Sequence, residues 1–215
     1  MPAQLHSPPP SACPIYLITG RRGTGKTSWI AGRILARAPR LFVFDHMAQL
    51  AAKTPGAHVV HELPEAIRLL ARAPRGGLAR VVYVPTREIT PTLFALVCRV
   101  PFAVPGLCLV IDEIDTFAGS VTPRPPDEFR RLVHFSRHVG CSIVGASRRP
   151  KDVSRLYTSQ AQLVCFQQSE PADLTWLRSM IGAEHAEEVA QLPELRFLAF
   201  DVAGRLTERG TITPT

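Results

Sequence analysis

Eight residues limit what this chain can fold into: Gly20 to Thr27, written Gly-Arg-Arg-Gly-Thr-Gly-Lys-Thr, with an apolar β-rich run at 14–19 before them and a helical pattern at 28–38 after them. A strand, a glycine-rich turn and a helix in immediate succession form the opening unit of an α/β sheet with parallel strands. The spacing fits G-x-x-x-x-G-K-S/T, in which backbone N–H groups turn inward around phosphate oxygens. Gly20, Gly23 and Gly25 supply the positive φ and close approach that such a turn needs. Lys26 would reach the β- and γ-phosphates and Thr27 would hold Mg²⁺ through its hydroxyl. Arg21, Arg22, Thr24 and Ser28 complete the nucleotide-binding set, and the positive end of the helix faces the anion. A chain of this length matches the pattern by chance about once in a hundred sequences, so the flanking strand and helix decide against a plain solvent-facing turn.

The remaining bulk properties set the frame. A chain of 215 residues with 46% hydrophobic content can bury one large core, and nothing in it repeats at a fixed period. Residues 1–13 are proline-rich and have neither a basic nor an apolar segment of a signal peptide; the expectation is a disordered arm, followed by one domain over 14–212. Twenty-five Lys and Arg against 18 acids give a net charge of +7, which suits a polyanionic partner and equally describes a soluble basic protein. The five cysteines include no C-x-x-C pair and read as buried thiols in a reducing compartment. Residues 89–111 are apolar enough to suggest a membrane span, but Arg99, Pro91, Pro101 and Pro105 interrupt them. A helix followed by a buried strand is the better account.

Further strands are expected at 41–45, 57–61, 80–84, 107–111, 141–146 and 162–166, and helices at 63–73, 92–100, 127–139, 171–181 and 183–191. Pro74-Arg75-Gly76-Gly77 stops the helix before it, and 121–126 reads as a proline-rich loop. Runs at 196–201 and 205–212, joined at Ala203-Gly204, suggest a hairpin at the sheet edge. The pairs His134/His138 and His58/His61 lack further ligands, so a solvated or DNA-facing basic surface outweighs a metal site.

The run at 107–111 ends in Asp112 and Glu113, which delivers two carboxylates to the edge of a parallel sheet where ligands sit. Asp112 can hold Mg²⁺ and Glu113 can polarise an attacking water; the competing reading is an acidic helix cap. The strand at 81–84 falls between this motif and the phosphate loop, which points to a sheet with an extra strand between the two motif strands. The run at 141–146 ends at Ser147-Arg148-Arg149-Pro150. Ser147 or Arg148 could sense a γ-phosphate in cis, Arg148 or Arg149 could reach a neighbouring subunit's nucleotide, and a solvated turn is the alternative.

These residues resemble the FtsK/HerA superfamily of DNA-pumping P-loop ATPases, and within it the short packaging ATPases of tailless double-stranded DNA viruses with an internal membrane. The likeness rests on Gly20–Thr27, on 107–113, on Arg137-His138-Val139-Gly140 leading into 146–153, and on Gln160-Ala161 before the strand ending at Phe166. Together these span about residues 14–201. In that family the strand after the acidic pair ends in a Thr-Gln-Arg-Pro-like sequence; here Arg148 stands where the glutamine would be, and Arg149 matches the arginine. The resemblance implies a RecA-like α/β fold with a mainly parallel sheet flanked by helices, an extra strand between the Walker A and Walker B strands, and the hairpin at the edge. It implies ATP and Mg²⁺ as cofactors, Glu113, Lys26, Ser147, Arg148 and Arg149 as catalytic residues, and Thr27 and Asp112 as metal ligands. Arg149, Arg148 or Arg87 would be the arginine finger in trans. The implied partners are double-stranded DNA bound without sequence preference, further copies in a ring, usually a hexamer, and capsid or portal proteins. The implied place of action is the host cytoplasm or the virion. Alternatives are a cellular or plasmid DNA-processing ATPase, a phage-morphogenesis ATPase, a small-molecule kinase, and a nucleotide switch that does not hydrolyse.

Overall fold

A single nine-stranded sheet runs through the computed structural model, which describes residues 13–74, 77–120 and 124–214. The arm at 1–12, Arg75 and Gly76 of the helix stop, and 121–123 of the proline-rich loop lie outside the described residues. The strands are β1 (Ile15–Thr19), β2 (Arg40–Phe44), β3 (His58–Val60), β4 (Ala79–Tyr83), β5 (Cys108–Ile111), β6 (Ser142–Ser147), β7 (Gln162–Cys165), β8 (Arg196–Phe200) and β9 (Leu206–Thr211). Their spatial order is β3-β4-β2-β5-β6-β1-β7-β8-β9. The first seven pair in parallel, while β8 and β9 are antiparallel and form the expected edge hairpin. At its turn, Asp201 Oδ1 accepts from Ala203 N and Arg205 N, each at 2.9 Å.

The strand between the two motif strands is β6, not the strand at 81–84. The latter, β4, lies beyond β2 and is two strands away from β5. Chain order misleads here because helical crossovers let consecutive parallel strands insert on either side of those already laid down.

Alternation along the strands divides the core between the two faces of the sheet. Ile15, Leu17, Phe42, Phe44, Leu109, Ile111, Ile143 and Leu163 face one layer of helices: α2 (Leu63–Arg72), α3 (Pro91–Ala103), α4 (Asp127–Phe135), α5 (Arg155–Thr158), α6 (Pro171–Ile181) and α7 (Ala183–Ala190). Ile18, Leu41, Val43, Val82, Val110, Val144 and Val164 face the other way, toward α1 (Lys26–Ile30) and the single π-helical turn Ala31–Leu35 that continues it. The expected helix at 28–38 therefore starts two residues earlier and widens midway, and the one expected at 127–139 tightens to a 3-10 turn at Ser136–Val139. Pro101 sits inside α3 in its last turn, where the helix loses little before ending.

Two arginines, Arg40 at the start of β2 and Arg80 second in β4, are buried at the opposite edge of the sheet from the motifs. Arg40 donates to Pro74 O at 2.9 Å and to Leu70 O and Ala73 O at 3.4 Å, and Arg80 donates to Ala38 O at 3.0 Å and to Leu35 O. Each thus caps the carbonyl end of a helix. Cys98, Cys141 and Cys165 are buried, Cys13 and Cys108 are half-buried, and all five are free thiols. Burial pushes the Cys108 thiol up to about 12 and raises Cys98, Cys141 and Cys165 as well. No helix among the described residues is long and apolar enough to cross a membrane.

Candidate active site

The candidate site forms where β5, β6 and β1 end side by side. Their registers pair Thr19 with Ser147 and Ile111 with Gly145, so the phosphate loop, the serine-arginine turn and the acidic pair leave the sheet together. That edge collects polar groups because β1 and β6 end in Thr19 and Ser147 and the apolar run of β5 is followed by Asp112.

The loop is braced from outside. Arg21 N donates to Gln167 O at 2.9 Å, Thr24 Oγ1 to Arg21 O at 2.9 Å, and Leu195 N to Thr24 O at 3.0 Å. A Cβ on Gly20 would lie 2.6 Å from Phe166 Cβ, and one on Gly25 would lie 2.7 Å from Ile212 Cδ1. Gly25 has φ 115 and ends the turn at the start of α1, so no side chain can replace either glycine without movement. Arg21 and Arg22 are exposed, Thr24 is buried, and Gly25 through Ser28 are half-buried. Lys26 Nζ reaches back across the loop to Gly20 O at 2.6 Å and Arg21 O at 3.1 Å. Its pKa is lowered to about 8, chiefly by burial; Glu113 and Asp112 oppose that shift and Arg148 adds to it.

The acids divide into two kinds. Asp45, at the end of β2, is fully buried and accepts from Gln49 N at 2.9 Å and from Leu50 N and Ala51 N at 2.8 Å, which makes it a turn former. Asp112 is also buried, and Glu113 N donates to its Oδ1 at 3.1 Å. Its pKa is raised to about 6 by burial first, then by Glu113 and Asp45. Glu113 takes the left-handed conformation, φ 47 and ψ 54, which turns its side chain toward β6. Asp115, two residues further on, is also raised by burial, with the Ser147 hydroxyl acting in the opposite sense.

The two arginines after β6 diverge. Arg148 Nε lies 2.7 Å from Glu113 Oε1, inside the site. Arg149 Nε lies 3.1 Å from Asp173 Oδ2 on α6, with Glu170 and Asp152 at 3.9 and 4.0 Å. Arg149 is therefore engaged within its own chain. Ser147 is fully buried and its Oγ accepts from Arg149 N at 2.9 Å. Arg87, beyond β4, is exposed and lines a groove of about 760 Å³ between α2 and α3, away from these groups.

Two participants carry no motif. Gln168 is buried two residues beyond Phe166, and its Nε2 donates to Arg148 O at 2.7 Å; a polar residue just past a strand at this edge is the signal that could have found it. Leu195, at φ 64, has no such signal, because its role is a backbone N–H on the loop. His58, His134 and His138 are exposed, His61 Nδ1 is 2.9 Å from Val84 O, and no cluster of three or more His, Cys, Asp or Glu suited to a metal occurs among the described residues.

No protein-family model and no curated protein matches the sequence. Solved structures do match the fold. The genome-packaging NTPase B204 of Sulfolobus turreted icosahedral virus 2, in complex with ATPγS, superposes with a TM-score of 0.74 at 20% identity, over 93% of this chain and 98% of that one. The DNA-packaging ATPase B204 of Sulfolobus turreted icosahedral virus gives 0.71 at 23% identity, over 95% and 100%. The cytoplasmic domain of the type VII secretion ATPase EccC of Thermomonospora curvata gives 0.55 at 14% identity, over 95% of this chain and 24% of that one. The fold is that of a P-loop NTPase along nearly the whole chain, in agreement with the resemblance drawn from the sequence.

Proposed function

We propose that this chain is an ATP-hydrolysing motor of the FtsK/HerA superfamily that drives double-stranded DNA into a viral capsid. One observation carries the reading: β6 runs between β1 and β5, so a serine-arginine turn stands between the phosphate loop and the acidic pair. The end-to-end likeness to packaging NTPases supports the choice of substrate.

Lys26 would neutralise the β- and γ-phosphates once they displace its bonds to Gly20 O and Arg21 O. Mg²⁺ fits the site, because Asp112 is raised by burial and neighbouring acids and a divalent cation there would offset the crowded negative charge. Thr27 and Asp112 would hold it, and it would supply charge neutralisation on the phosphates. Glu113 would orient the attacking water. A ring, usually a hexamer in this superfamily, would bring a finger from the next subunit; exposed Arg87 suits that role better than Arg149, which Asp173 holds. DNA would meet a basic surface such as the exposed Arg130, Arg131, His134, Arg137 and His138 of α4 and its extension, through phosphate contacts that read no sequence.

Steady-state hydrolysis with and without long duplex DNA tests the reading. Stimulation that weakens steeply with salt is expected; phosphorylation of a small acceptor would make it a kinase, and binding without turnover a switch. Glu113→Gln should keep nucleotide binding and lower turnover at least about 100-fold. Unchanged hydrolysis would remove Glu113 from the chemistry.

A further inference from the structure

The ion pair between Arg148 and Glu113 has a consequence for the order of events in the site. The two residues leave adjacent parallel strands, and their side chains meet at 2.7 Å with only 39% and 18% of their surfaces exposed. Both backbones are fixed. Glu113 is held in the left-handed region and its N–H is bonded to Asp112 Oδ1, while Arg148 O accepts from buried Gln168 Nε2 at 2.7 Å. The guanidinium therefore moves by its side chain alone. β6 also pairs with β1, Thr19 beside Ser147, so the pair stands beside the phosphate loop, where the end of a phosphate chain would lie.

We propose that Arg148 is a latch on Glu113, opened only by a terminal γ-phosphate. A phosphate oxygen pair is a stronger partner for a guanidinium than a single carboxylate oxygen, so a triphosphate seated on Lys26 takes Arg148 and frees Glu113 to orient water. A diphosphate ends short of the guanidinium and leaves the latch closed. Arg148 thus distinguishes the two nucleotides and couples arrival of the third phosphate to release of the water-orienting group. The proposal rests on the reading of this site as a triphosphatase.

A double-mutant cycle tests it, with binding of a non-hydrolysable ATP analogue and of ADP measured for the wild type, Glu113→Gln, Arg148→Gln and the double variant. Removing the Glu113 charge opens the latch, so E113Q should tighten the triphosphate analogue about three- to tenfold and leave ADP within about twofold. In the R148Q background the same change should have less than about a twofold effect. Simple relief of repulsion between a carboxylate and a phosphate would persist without Arg148, so an equal gain in both backgrounds overturns the latch. An equal gain for ADP overturns it too. Arg148→Lys repeats the cycle with the charge retained should R148Q fold poorly, and its residual coupling should lie between the two. Failure to bind either nucleotide would sink the triphosphatase reading itself; binding without coupling sinks the latch alone.

Discussion

The turn after β1 and the turn after β6 leave paired strands at matched positions, Thr19 beside Ser147, yet they are held in opposite ways. The phosphate loop is shaped by its own backbone: glycines, carbonyls that accept from Lys26, and N–H bonds exchanged with Gln167 and Leu195. The serine-arginine turn has one bond of its own, Arg149 N to Ser147 Oγ, and is otherwise held by side chains from elsewhere: Glu113 beyond β5, Gln168 beyond β7 and Asp173 on α6. A shape made by backbone demands glycine at set places. A shape made by distant side chains demands matched partners, as Arg148 is matched to Glu113 and Arg149 to Asp173.

Substitutions can break this contrast, beginning where the effect is largest. Lys26→Ala should lower hydrolysis at least about 100-fold, checked by steady-state turnover, because it removes the cation that reaches back across the loop to Gly20 O and Arg21 O. Activity within fivefold of wild type would erase the distinction between loop and turn. Gly25→Val should cost about 2–4 kcal/mol of stability in denaturant titrations, since its Cβ would strike Ile212 and its φ is 115. Asp112 gives a pH test. Its folded pKa, about 6, lies above the 3.8 of a free carboxyl, so the protonated form favours folding below about 4 and that advantage is lost as pH rises through 6. Asp112→Asn should therefore gain up to about 2–3 kcal/mol on the wild type between pH 4 and 7 without divalent cations, and the gain should shrink when they are added. On the alkaline side Lys26, lowered to about 8, loses its charge early, so triphosphate affinity should fall from about pH 8 upward. The smallest effect belongs to the turn. Asp173→Asn should change stability by less than about 1 kcal/mol, because burial outweighs Arg149 in setting that acid's protonation and Glu170 and Asp152 remain near the guanidinium.

How far the sequence could be read follows the same line. The phosphate loop, the acidic pair and the hairpin at Ala203-Gly204 were legible because each is a local pattern: glycine spacing, an apolar run ending in acids, and two short strands around a tight turn. Strand order was not, since a strand between two motifs in sequence need not lie between them in space; β4 lies outside β2, and the later β6 takes the inner position. The arginine roles were not legible either. Arg40 and Arg80 add to the net charge yet spend it on helix carbonyls inside the protein, and nothing in Ser147-Arg148-Arg149-Pro150 tells which guanidinium turns toward Glu113 and which toward α6. That depends on side chains more than 20 positions away in sequence for two of the three partners, Glu113 and Asp173.

The state of the thiols offers a practical handle. Cys98, Cys141 and Cys165 are buried with raised pKa values, and Cys108 is pushed up to about 12, so the thiolate that attacks a maleimide is scarce at all four. Cys13 is half-buried and stands just before β1, at the end of that strand away from the phosphate loop. A brief maleimide reaction near neutral pH should mark the native protein there first, giving a fluorescent label that leaves the phosphate-loop edge untouched.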